Sequence, residues 1–97
     1  MEFDTITYLA RAYFHQDFDL IASTPEGILE EFRRREDVAT VEQLRRELDV
    51  LAARRPSDER IKTVWMASGG SSFEPDRHGM NYGEWLEKMQ RVFDANR

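Results

Sequence analysis

The chain has 97 residues, no cysteine and a net charge of −5, with 40% apolar and 34% charged residues. That length points to one domain burying roughly two-thirds of its unfolded surface, enough for one core but not for a deep cleft. The totals exclude disulfides and thiolate metal sites, disfavour direct nucleic-acid binding for want of a basic excess, and leave no apolar run of membrane-spanning length.

An acidic balance suits either a basic protein partner or solubility alone. The excess is uneven, because residues 1–24 hold four acids and one base. No signal-peptide core opens the chain, and the whole reads as cytoplasmic.

Ile6, Leu9, Ala10, Tyr13 and Phe14 recur at helical spacing, which predicts a first helix over residues 5–14. The run Tyr13-Phe14-His15-Gln16-Asp17-Phe18-Asp19-Leu20 follows, the densest aromatic stretch in the chain. It reads as a folded-back corner pinned by Phe18 and Leu20, since no second strand pattern exists to pair with it. Ser23-Thr24-Pro25-Glu26 starts a second helix, with a hydroxyl for the orphan amides and proline in the first turn. That helix runs to about Arg35 with Ile28, Leu29 and Phe32 inward. Arg33-Arg34-Arg35 sits among Glu30, Glu31, Glu36 and Asp37 and reads as a solvated face with intrahelical pairs.

Thr40-Val41-Glu42-Gln43 has the form of a capping box, and predicts the start of a third helix carrying Val41, Leu44, Leu48 and Leu51. Pro56 ends it. Ser57 caps a fourth helix, with Asp58 and Glu59 at its positive end and Ile61, Val64 and Trp65 inward. Gly69 and Gly70 are expected to end that helix. Residues 69–79 are expected to form one long loop that Phe73 pins to the core. Asn81-Tyr82-Gly83-Glu84 is a second capping box, and it opens a last helix with Tyr82, Trp85, Leu86, Met89, Val92 and Phe93 inward. With no repeat or linker, the expected architecture is all-α, a compact single-domain bundle of about five helices spanning residues 1–97.

The residues that could carry chemistry are few. His15, Asp17 and Asp19, with Glu74, Asp76 and His78, could in principle hold a divalent ion. Their spacing matches neither a helical histidine pair nor a calcium loop, so the acids read as turn caps or surface residues. Ser68, Ser71 and Ser72 lie near glycines but form no nucleophile elbow between strand and helix. Gly69-Gly70-Ser71-Ser72 lacks the lysine of a phosphate loop. The reading therefore calls for no catalytic residue, no metal and no cofactor.

The Tyr-Phe-His-Gln-Asp-Phe-Asp run after a short helix, the Thr-Pro-Glu start, the leucine-rich third helix and the Tyr-Gly-Glu-Trp-Leu opening of the last helix together resemble one family. It is the immunity proteins of bacterial contact-dependent growth inhibition, the CdiI type. The likeness extends from about Tyr8 to Phe93, and the loop at Gly69–Gly79 is its one departure. It implies a non-enzymatic cytoplasmic inhibitor that binds the C-terminal toxin domain of a cognate CdiA effector, often a basic nuclease. On that reading charge would be carried by Asp17, Asp19, Glu30, Glu31, Glu74 and Asp76. Phe18 or Phe73 would be apolar anchors if exposed. Two other classes remain open at this point: an adaptor or antitoxin-like regulator, and a small metal-dependent enzyme using His15 and nearby acids.

Overall fold

Helix N-termini are set by side chains that accept the amides a first turn leaves free. The computed structural model describes residues 3–15, 22–67, 71 and 73–94. Among these are five α-helices, α1 (Asp4–Tyr13), α2 (Pro25–Arg35), α3 (Val38–Ala53), α4 (Asp58–Trp65) and α5 (Tyr82–Asp94), and a short 3-10 helix, η1 (Pro75–His78). Thr24 caps α2 by accepting from the Gly27 amide at 3.0 Å. Ser57 caps α4 through the Arg60 amide at 3.2 Å. Asn81 and Glu84 accept from each other's amides at 2.8 and 2.9 Å, the reciprocal box expected at the start of α5.

Three expectations need correction. The start of α3 is Val38 rather than Val41, because Asp37 caps it through the Thr40 amide at 2.7 Å. Val38 and Ala39 face solvent, so they add nothing to an apolar stripe and the extra turn has no hydrophobic signal. The segment between α4 and α5 is likewise more ordered than a plain loop, for it contains η1, closed by Gly79 in the left-handed region at φ 76. The fourth helix ends at Trp65, ahead of the expected glycines; Gly69 and Gly70 lie outside the described residues.

Each helix buries one stripe. α1 and α5 both pack against α2, α3 and α4, so these two helices hold the other three together. The Cα radius of gyration is 12.2 Å. Phe14, immediately after α1, is the centre of the aromatic core. Its ring lies 5.2 Å from Trp65, 5.4 Å from Phe73 and 5.5 Å from Trp85. Phe73 is fully buried, and its carbonyl accepts the Trp65 indole N–H at 3.0 Å. The expected pinning of the segment by Phe73 therefore holds. Gln16 to Leu20, the remainder of the aromatic corner, lie outside the described residues.

Polar ties fix the helices to one another. Lys88 of α5 reaches Glu26 of α2 at 2.8 Å, and its ammonium holds the Glu26 carboxyl below the usual range. Arg33 donates to the Val92 carbonyl at 3.0 Å. The hydroxyls of Tyr8 and Tyr13, one turn and a half apart on α1, both donate to Glu36 Oε2 just past α2, at 2.8 and 2.7 Å.

All three tyrosines of the chain are held neutral more strongly than free phenols. Tyr8 is raised chiefly by its bond to the Glu36 carboxylate, and Tyr13 by burial and then by the same bond. Tyr82 is pushed up to about 12 by burial and then by the charges of Asp76 and Glu74. A phenol whose pKa is raised in the folded state contributes stability that is complete below the unfolded value, near ~10, and is lost as pH climbs towards the folded value. In an alkaline titration, phenolate absorbance is therefore expected to appear together with the loss of helical circular dichroism. Phenolate formation in a chain still fully helical would contradict the assignment.

Candidate functional site

The carboxylates divide into those whose charge is already matched within the chain and those whose charge is not. On α2, Glu30 pairs with Arg33 at 2.9 Å, and Glu31 pairs with Arg35 at 2.9 Å and with Arg34. The intrahelical pairs expected for that face are present, so Glu30 and Glu31 present little net charge to a partner. Glu74 pairs with Arg77 at 3.1 Å. Asp76, on η1, is exposed and pairs with no base among the described residues.

Phe73 has no exposed surface in the free chain, so the condition for its use as an apolar anchor is not met. Burial against Phe14 and Trp85 has claimed it for the core. Asp17, Phe18 and Asp19 lie outside the described residues.

Sequence reasoning missed a group of acids around α5. Asp58, at the start of α4, accepts from the Gly83 amide at 3.0 Å, a bond across 25 positions. Asp49 of α3 accepts from Gln90 at 3.2 Å. These two contacts place Asp58 beside the start of α5 and Asp49 beside its second half. A shallow groove along the first half of α5 is lined by Gly79, Met80, Glu84, Glu87, Lys88 and Arg91. A second groove lies where α2 ends, α3 begins and α5 ends, with Val38, Val41 and Phe93 along it and Arg33 and Arg45 at its sides. Val38 is 79% exposed there.

What these surfaces can do chemically is bind. Among the described residues, no three of histidine, aspartate and glutamate come together to hold a metal ion. Ser71 is buried, and its hydroxyl exchanges hydrogen bonds with the backbone of Phe73, both at 3.3 Å, in the manner of a structural turn. Ser68 and Ser72 lie outside the described residues. Among the described residues no helix is long and apolar enough to cross a membrane.

Comparison with known proteins gives this surface a family context. A family profile described as CdiI immunity protein matches residues 2–93. A chain in the crystal structure of a CdiA-CT/CdiI complex from Y. kristensenii 33638 has the same fold, with a TM-score of 0.83 and 22% sequence identity over 96% of this chain and 99% of that one. No curated protein matches the chain. With the profile covering nearly every residue, including the capped helices and the aromatic core, the chain belongs to the CdiI immunity protein family.

Proposed function

We propose that residues 1–97 act as one immunity domain that binds the C-terminal toxin domain of a cognate CdiA effector in the cytoplasm of the producing cell and blocks it. The carrying observation is the family match over residues 2–93. The Y. kristensenii structure, a CdiA-CT/CdiI complex with a chain of the same fold, supports it.

Inhibition on this reading is non-catalytic. A preformed helical surface covers the toxin's active site or substrate groove, and the toxin is a nuclease whose basic surface meets an acidic inhibitor. Opposite charge speeds encounter, and a packed interface centre slows release. Since the inhibitor only has to present a rigid surface, a well-filled core under charged helices suffices.

Co-expression tests this directly. A strain producing the toxin fragment encoded beside this chain is expected to survive only when the chain is also produced, and the two are expected to co-elute as a stoichiometric complex. Survival without a complex, or a complex without survival, would defeat the reading.

A further inference from the structure

Glu36 is held in place without being neutralised. Its Oε2 accepts the hydroxyls of Tyr8 at 2.8 Å and Tyr13 at 2.7 Å, and both donors are uncharged phenols. Among the described residues its Oε1 accepts no hydrogen bond, and no cation pairs with either oxygen. Arg33, three residues back, is engaged by Glu30 at 2.9 Å and by the Val92 carbonyl at 3.0 Å. Arg35 is engaged by Glu31 at 2.9 Å. The charge of Glu36 is therefore positioned but unmatched.

The same residue lines the groove formed where α2 ends, α3 begins and α5 ends. Val38, Val41 and Phe93 give that groove its apolar lining, with Phe93 buried and Val38 open to solvent. The other charges along it cancel, since Arg45 lies 3.3 Å from Glu42 and 3.9 Å from Asp94. What is left over is the single negative charge of Glu36. The helix ends add to it: α2 closes here with its negative pole, while Asp37 already meets the positive pole of α3 through the Thr40 amide at 2.7 Å. The groove holds about 240 Å³. That is below the ~300–1,000 Å³ of small-molecule sites and suits one side chain.

Resting on the immunity reading, we propose that this groove receives one lysine or arginine side chain of the toxin domain, its aliphatic stem against Val38 and Val41 and its cationic head on Glu36 Oε1. Both halves of such a side chain find a counterpart here. The stem leaves water against the valines, and the head meets a carboxylate whose orientation is already set. An apolar side chain would strip water from Glu36 without giving it a partner, and an acidic one would be repelled. The two phenols make the contact selective: with Oε2 taken by Tyr8 and Tyr13, Oε1 is the oxygen left to the partner, and the fold has borne the cost of ordering it.

The test uses the full chain and the neighbouring toxin fragment, with affinity, dissociation rate and Tm measured for each variant. Glu36→Gln keeps an acceptor for both phenols and removes only the charge. It is expected to bind about 10–100-fold more weakly, mostly through faster dissociation, with Tm within a few degrees of the parent. Val38→Lys alters a residue that is 79% exposed and sets a competing cation in the groove. It is expected to bind about 10-fold more weakly with Tm held. Glu59→Gln removes an exposed acid of α4 whose side chain is tied to nothing, and is expected to stay within about three-fold of the parent. Parental affinity in Glu36→Gln or in Val38→Lys overturns the assignment. So does an equal loss in Glu59→Gln, which would mean that overall charge is read and not this groove. If the unmodified chain fails to bind the fragment at all, it is the immunity reading that has failed.

Discussion

Phe73→Ala is expected to lower the unfolding free energy by about 3–5 kcal/mol, the range for truncating a buried phenylalanine. The ring has no exposed surface and lies 4.8 Å from Trp85, 5.4 Å from Phe14 and 5.0 Å from His78. Its removal opens a cavity between α1, α4 and α5 that rigid neighbours such as two indoles cannot refill. The cost is also regional. The Phe73 carbonyl accepts from the Trp65 indole and the Ser71 hydroxyl, and its amide donates to Ser71 Oγ, so loss of the ring frees the segment that carries η1. For a chain of this size the Tm is expected to fall by more than ~12 °C. Thermal unfolding followed by near-ultraviolet circular dichroism checks this, because both tryptophans sit against the cavity. If Phe73 were instead an anchor for a partner, truncation would leave Tm unchanged and weaken only the complex.

Much of the helical order was legible because stripe and cap agreed. Thr24 and Pro25, Ser57, and the Asn81–Glu84 pair each stand directly before an apolar repeat, and all three helices begin where those signals fall. The α3 start was misread because two capping patterns compete one turn apart. Thr40 to Gln43 adjoins the first buried positions, yet Asp37 wins: its carboxylate, held below the usual range by its bonds to Thr40, gains from the helix's positive end. η1 is four residues long, too short for any periodic signal.

Surface charge was legible only in part. Pairs three or four residues apart, such as Glu30 with Arg33, can be read from spacing alone. Whether Asp58 is neutralised cannot, for its partner is the amide of Gly83 and depends on how α4 meets α5. Counting acids therefore drew attention to α2, whose glutamates are cancelled by its own arginines. Tyr8 and Tyr13 converging on Glu36 is equally a property of packing, since α1 and α2 must be placed before one carboxylate oxygen can accept both hydroxyls.

Glu47 offered a signal that went unused. It falls between Leu44 and Leu48 on the buried stripe of α3, and a carboxylate at a core position must have partners. Its partners are the first turn of α1. Glu47 is 5% exposed, and its Oε1 accepts the amides of Thr5 at 2.8 Å and Ile6 at 3.0 Å, while Oε2 accepts from Gln43 at 3.1 Å. Phe3, at the N-cap position of α1, has no side-chain acceptor, so Glu47, 41 positions on from Ile6, caps the helix. The carboxylate also faces the positive end of the α1 dipole. Glu47→Ala is expected to cost about 2–4 kcal/mol, because it strands buried amides and removes charge-assisted bonds together. Glu47→Gln keeps an acceptor of the same reach and is expected to cost about half as much. Urea unfolding with an unchanged m-value measures both, and amide exchange at Thr5 and Ile6 localises the effect: protection there should fall in the alanine variant before it falls in α5. A loss below ~0.5 kcal/mol with protection intact would mean that α1 is held by its apolar stripe alone, and that Glu47 is an accommodated charge rather than a cap.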